Sequence, residues 1–434
     1  MNQGRVVGVG AGAYRGRVRG WACLMLLGPL LLGGANAQAA PQWSSAWTAP
    51  QGIRLTTPEV TGNTVRMVVR PTLAGASVRV KLENTLGQSP VVFSSAYFGE
   101  VAGGADLVPG SNRQLTFDGQ TGLELPAGAG AWSDPLDYPV AAFSRYAISL
   151  DVVSASDVSA HALGLVTNFM APGPRAAQSD GGGFAAVPDL NPGTPAGAAF
   201  PFYWVAALDV LTPDASGTIV ALGDSITDGR CSTKENHGSS DGAVVPDRYQ
   251  RWTDLLAQRL MALPADHWKA VANEGIAGNR VVTDTETSGV SALARMDRDV
   301  LERAGATHVI FFEGTNDIAG GADASSVIAG MQQVIDRAHA AGLKILGVTT
   351  VPRGSATGWT AAMEQQRLAV NAWMRGEANF DGLIDFAEVL RGPVVPSNGA
   401  EQIAPAYSCF DGIHPNDEGY AAMGAAIDLS LFGD

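Results

Sequence analysis

The period of the apolar residues changes near residue 217, and this change limits the fold more than any single motif does. Before it, apolar positions alternate in short runs: Thr64-Val-Arg-Met-Val-Val-Arg70, Ser77-Val-Arg-Val-Lys-Leu-Glu83, Val91-Val-Phe93, Arg113-Gln-Leu-Thr-Phe117 and Tyr146-Ala-Ile-Ser-Leu-Asp-Val-Val153. A period of two turns alternate side chains to opposite faces of a strand. Gly, Pro, Ser and Asn separate the runs, and no helical period interrupts them. Residues 41–212 are therefore expected to form an all-β, jelly-roll-like sandwich. Within it, residues 172–201 are Pro- and Gly-rich around Gly181-Gly-Gly183 and read as a long loop. The run from Tyr203 to Thr212 reads as one more sandwich strand.

After residue 217, apolar strand candidates at 218–223, 269–273, 307–312, 344–350 and 382–386 alternate with helical patterns. The helices are expected at Arg251–Leu260, Ser291–Arg303, Ala324–Ala341, Met363–Ala378 and Asn416–Leu431. A βαβ series implies a parallel sheet with helices on both faces, so residues 217–434 read as a three-layer α/β domain. A chain of 434 residues is long enough for both cores.

Composition narrows the function classes. A chain with 46% hydrophobic and 16% charged residues is not disordered, and a net charge of -14 argues against nucleic acid as a partner. Residues 1–37 read as a signal peptide: Arg5, Arg15, Arg17 and Arg19 precede the apolar Trp21–Leu32 stretch, and Ala35-Asn-Ala37 or Ala37-Gln-Ala39 suits cleavage. The alternative is an uncleaved anchor. With cleavage, the protein is expected to be secreted to periplasm or medium, with no stable membrane insertion. Cys23 leaves with the signal, so Cys231 and Cys409 remain. In an oxidising compartment they can form a disulfide; two unpaired thiols are the alternative.

The chemistry-bearing residues sit in the second half. The buried-strand pattern Thr218–Leu222 runs into Gly223-Asp-Ser-Ile-Thr-Asp-Gly229, placing Ser225 at the carboxyl end of a strand. Open α/β sheets bind their ligands at that edge. Near the C-terminus, Asp411-Gly-Ile-His-Pro415 carries an acid and an imidazole three residues apart. A serine hydroxyl needs a base within reach, and His414 can be that base while Asp411 orients it.

Four ordered blocks carry a family resemblance: Gly223–Gly229, Asn273-Glu-Gly-Ile-Ala-Gly-Asn279, Gly314-Thr-Asn-Asp317 and Asp411–Pro415. They resemble the SGNH, or GDSL-like, hydrolase superfamily, with Ile226 standing where the family name has leucine. The first half is similar in pattern to the β-sandwich that precedes this module in some secreted bacterial relatives. The resemblance implies a flavodoxin-like fold and a cofactor-free, metal-free carboxylic ester hydrolase with Ser225, His414 and Asp411 catalytic. It further implies an oxyanion hole made by the N–H groups of Ser225 and Gly278 and the side-chain amide of Asn316.

Competing patterns are weaker. Gly238-Ser-Ser-Asp-Gly242 matches a nucleophile elbow but follows no strand, so Ser240 is set aside. Asp336-Arg-Ala-His339 lies inside a helical pattern and reads as a solvated face. His161, His237, His267 and His308 read as surface or structural residues. Asp224, Asp228, Glu313 and Asp317 read as loop-fixing partners, and Trp252, Trp359 and Trp373 as core.

The expected function is a secreted serine esterase acting on short-chain or acetyl esters, on small molecules or polysaccharide. A lipase or lysophospholipase is the alternative among hydrolases. A polysaccharide-binding protein without catalysis is the alternative of another class. Oligomeric state is left open by the sequence.

Overall fold

The computed structural model describes Met1 and residues 40–56, 59–187, 200–213, 215, 217–235, 238–239 and 242–433. The expected signal peptide, Met1 apart, and residues His237 and Ser240 lie outside the described residues. Residues from Ala39 to the C-terminus form one compact unit.

The first part of this unit is a β-sandwich. One antiparallel sheet runs in the order Gln42–Thr48, Val205–Thr212, Gly75–Glu83, Leu136–Val140, with Gly130–Trp132 also paired to Gly75–Glu83. The facing sheet centres on Asn63–Val69, Tyr146–Ser154 and Val91–Gly103. Val78, Val80, Leu82, Leu208 and Val210 from one sheet meet Val65, Met67, Phe98, Ile148 and Leu150 from the other in a single core. The last expected strand thus lies in the middle of its sheet. A third, smaller sheet joins Phe202–Tyr203, Val158–His161 and Ile53–Leu55.

One expectation is corrected here, and one residue departs from the alternating pattern. Residues 172–201 are not loop throughout, because Ala185–Ala186 pairs with Phe169–Met170. Alternation alone would put Arg66 in water, yet Arg66 is buried. Its guanidinium donates to the Ser149 hydroxyl and to the carbonyls of Ala105 and Gln178, and Phe184 stacks on it, so the 172–187 segment closes over this face.

The second part is a five-stranded parallel sheet in the order Ala270–Gly275, Thr218–Gly223, Ala306–Phe312, Lys344–Val348, Gly382–Ile384. In chain order this is 2-1-3-4-5, the flavodoxin-like winding. Alternate strand residues face opposite layers. Val220, Leu222, Val309 and Phe311 pack with the helices Ala324–Ala340 and Ala361–Gly376. Ile219, Ala221, Ile310 and Phe312 pack with Trp252–Met261 and Asp417–Ala426. The helix expected over Ser291–Arg303 is α-helical only over Ala292–Met296 and widens into a π-turn at Asp297–Leu301. The last expected helix ends at Ala426, and Asp428 then caps a 3-10 turn over Leu429–Phe432.

The edge strand Ala270–Gly275 would leave backbone groups unpaired. The sandwich takes them up: Thr48 Oγ1 donates to Asn273 O at 2.9 Å, and Val271 N donates to Thr72 Oγ1 at 3.0 Å. Beside them, Ala304 N donates to Ser45 Oγ at 3.0 Å. Among the described residues, no helix is long and apolar enough to cross a membrane.

Candidate active site

The strand Thr218–Gly223 lies between Ala270–Gly275 and Ala306–Phe312, so its carboxyl end is the point where the winding reverses. A short helix, Ser225–Asp228, begins there. Asp224 caps it by accepting from Ile226 N at 2.9 Å, which presents Ser225 as the first helical residue. The Ser225 hydroxyl lies 2.8 Å from His414 Nε2, and His414 Nδ1 lies 2.7 Å from Asp411 Oδ2. The other Asp411 oxygen accepts from the N–H groups of Ile413 and His414, so the turn holds its own carboxylate in place. Asn416 then caps the following helix through Gly419 N.

This geometry fixes the proton inventory. Asp411 is an acceptor facing Nδ1, which therefore carries the proton and leaves Nε2 free to accept from Ser225. Burial disfavours the charged imidazole. The Asp411 carboxylate opposes that effect, the nearby Arg230 and Arg353 reinforce it, and the net is a pKa below the usual value. Burial works against the Asp411 anion too, but its bonds to His414 and the backbone hold it well below the usual carboxylate range. At neutral pH the pair is thus a neutral base held by a fixed anion.

Three donors are expected to serve the oxyanion. Ser225 N, in the first helical turn, and Gly278 N have no acceptor among the described residues. Gly278 adopts φ +81°, and a Cβ there would meet the Ser288 hydroxyl at 2.4 Å, so only glycine fits. Asn316 is the second residue of a short helix, Thr315–Ala319, that follows the Ala306–Phe312 strand. It donates one amide N–H to Asn279 O at 3.0 Å, and the same nitrogen lies only loosely, at 3.4 Å, from Asp224. Nucleophile, base and donors can together hold a carbonyl carbon under attack and receive the negative oxygen that results.

Cys231 and Cys409 are disulfide-bonded, joining the loop after Ser225 to the loop before Asp411. Three of the four acids read as loop-fixing do hold loops or caps. Asp317 accepts from Val281 N at 2.9 Å and Asp228 from Ala277 N at 2.9 Å. Asp224, whose burial raises its pKa to about 7, caps the serine helix. Glu313 does not fix a loop: it is fully buried, and neither carboxylate oxygen has a hydrogen-bond partner among the described residues. Its pKa is pushed well above the ordinary glutamate value by desolvation and then by Asp224, and Arg295 lies 3.7 Å away. His339 of the Asp-x-x-His decoy faces Asp381 at the exposed end of its helix. Trp252 is in the core, Trp359 donates to Glu364, and Trp373 packs on Phe380.

Sequence reasoning misses two residues, Arg295 and Arg353, and reads a third, His161, only as surface or structural. Arg295, fully buried, donates to Gly223 O at 3.0 Å, Glu274 O at 2.7 Å and Asn279 Oδ1 at 3.0 Å. It thereby ties the strand carrying Ser225 to the loop carrying Gly278. Arg353 reaches Thr315 Oγ1 at 3.2 Å and stacks over Trp359. His161 comes from the sandwich and touches Asp228 at 3.1 Å. Each also touches residues far away in sequence, Gly223 for Arg295, Thr315 for Arg353 and Asp228 for His161, and none belongs to a block.

Comparison with known proteins gives a family for this part of the chain. Residues 221–422 match the model of the GDSL-like lipase/acylhydrolase family. Among solved structures, a GDSL-like lipase from Bacteroides thetaiotaomicron is similar at 19% identity and a TM-score of 0.35, covering 50% of this chain and 88% of that one. A carbohydrate acetylesterase from Sinorhizobium meliloti is similar at 18% identity and a TM-score of 0.37, covering 48% and 95%. The M. smegmatis aryl esterase is similar at 18% identity and a TM-score of 0.37, again covering 48% and 95%. No curated protein sequence matches the chain.

Proposed function

We propose that this chain, whose residues 221–422 match the GDSL-like lipase/acylhydrolase family, is a secreted serine esterase for short acyl groups, acetyl esters of carbohydrate foremost. We read residues 1–37 as its signal peptide, 41–212 as its sandwich domain and 217–434 as its catalytic domain. The observation that carries the reading is the unbroken hydrogen-bond chain from Ser225 through His414 to Asp411.

In this mechanism His414 Nε2 takes the hydroxyl proton as Ser225 Oγ attacks the ester carbonyl. The carbonyl oxygen becomes an anion met by Ser225 N, Gly278 N and the Asn316 amide. His414 returns its proton to the departing alcohol oxygen, leaving an acyl-serine. Water then attacks the acyl carbon, His414 takes the water's proton, and Ser225 leaves with it as the acid is released.

The short acyl group is carried over from the sequence reading. A cavity of about 220 Å³ lies beside Ala277, walled by Asp228, Arg230, Thr287 and Ser288 with Ile53, Leu163 and Ile276, but Ser225 and His414 are not on its wall, so it is not assigned to the acyl chain.

The test is hydrolysis of p-nitrophenyl esters from acetate to palmitate by wild type and Ser225→Ala. The expected profile peaks at acetate and disappears in the variant. A peak at long chains moves the reading to a lipase. Turnover that survives Ser225→Ala removes the acyl-enzyme.

A further inference from the structure

The sandwich reaches into the catalytic part at one buried contact. The strand Val158–His161 ends in His161, whose side chain is almost fully buried. Its Nδ1 lies 2.9 Å from the Pro50 carbonyl, and its Nε2 lies 3.1 Å from Asp228 Oδ1. A carbonyl and a carboxylate can only accept, so the ring must donate from both nitrogens and is an imidazolium. The groups facing it agree. Burial and the more distant Arg251 disfavour the charge, but Asp228 and the Pro50 carbonyl outweigh them, and the pKa is raised.

Asp228 is the last residue of the serine helix and is also buried. Its second oxygen accepts from Ala277 N at 2.9 Å, one residue before the Gly278 donor. Arg251 braces the same point, donating to Asp228 O at 2.6 Å and to the sandwich carbonyl of Gly164 at 2.8 Å. The backbone there has no slack, since a Cβ on Gly275 would fall 2.2 Å from Asp228 N.

We infer that the sandwich is a working part of the active site: His161 is a positioning residue that, through Asp228 and the Ala277 N–H, sets where the Gly278 N–H points in the oxyanion hole. Without the imidazolium, Asp228 is a buried anion lacking its counter-charge, and it relaxes away from Ala277. That loosens the loop that aims Gly278. Deleting an oxyanion donor outright costs about 100- to 1000-fold in turnover, so a misaimed donor is expected to cost about 10- to 100-fold.

The inference rests on the acyl-enzyme reading and fails separately from it. His161→Ala and His161→Gln in the full chain are compared with wild type on p-nitrophenyl acetate. Inhibition by phenylboronic acid, which forms a tetrahedral adduct on an active serine, is measured alongside. In His161→Ala, kcat is expected to fall about 10- to 100-fold with KM within about threefold, and boronate affinity to fall with kcat/KM. His161→Gln keeps a donor toward Asp228 and is expected to recover most of the loss. A folded His161→Ala with wild-type kcat, or with reduced kcat but unchanged boronate affinity, overturns the inference. Should His161→Ala not fold, nitrogen NMR of the wild-type ring still decides: two protonated nitrogens at pH 7 are expected, and a neutral ring overturns it. If Ser225→Ala keeps its turnover, the acyl-enzyme reading falls instead.

Discussion

At the scale of single residues, the electrostatics around His414 make a prediction with a definite sign. A base must be neutral to work, so kcat/KM falls as pH drops through the pKa of His414. That pKa lies below the usual imidazole value, because burial and then Arg230 and Arg353 disfavour the cation more than Asp411 favours it. The activity profile is therefore expected to stay flat from neutrality down past the ordinary histidine range before it declines. Removing a positive neighbour makes protonation easier. Arg230→Gln should move the acid limb of kcat/KM to higher pH, and a limb that stays put or moves lower contradicts this account. Asp411→Asn removes the anion that fixes the tautomer and stabilises the imidazolium. It is expected to cost about 10⁴-fold in kcat, as measured for the equivalent change in a serine protease, with the fold intact by circular dichroism.

At the scale of elements, loops from opposite ends of the catalytic part are held by two devices, a disulfide and a buried arginine. Cys231 and Cys409 are separated by 178 residues in sequence, so the bond closes a long loop in the unfolded chain. Cys409→Ser should cost about 2–5 kcal/mol of stability, read as a lower urea midpoint. It should also lower kcat by loosening the serine loop against the histidine loop; an unchanged midpoint would show that the bond constrains little. Arg295→Met removes one of the three guanidinium groups on the fully buried Asp299, the others being Arg298 and Arg303, and takes a donor from the carbonyls of Gly223 and Glu274. A loss of about 1–3 kcal/mol is expected for these buried hydrogen bonds, seen in thermal melts of the variant against wild type. These devices mark where sequence reading stops. Ser225, Gly278, Asn316, Asp411 and His414 stand out because each sits in a short block after a strand or turn. Arg295 and His161 act on atoms distant in sequence, so no spacing announces them. The same contrast holds for the strands. Parallel strands, apolar on both faces, read almost residue for residue, as Thr218–Gly223 does. The sandwich's shortest strands, Asp106–Leu107, Leu123–Leu125 and Gly130–Trp132, are too brief to show a period.

At the scale of the whole molecule, the question is whether the sandwich is separable from the catalytic part. Surface loops on a linker would leave both cores independent. Here the contact is of another kind. Thr48, Thr72 and Ser45 satisfy backbone groups of the edge strand and its neighbourhood. Lys81, mostly buried, pairs with both Glu83 of the sandwich and Glu302 of the catalytic part. Asp247, of the catalytic part, accepts from the Thr167 backbone N–H and hydroxyl at 3.0 and 2.7 Å. Splitting the two would strand these groups beside an uncovered apolar seam, at a cost comparable with the stability of a domain. The two parts should therefore unfold together. Calorimetry of the full chain is expected to show one transition, with the van't Hoff enthalpy close to the calorimetric one. Two separated transitions would mean that the contacts are too weak to couple the cores. A sandwich able to melt first could not hold His161 against Asp228, so a single transition is also what a sandwich-borne positioning residue requires.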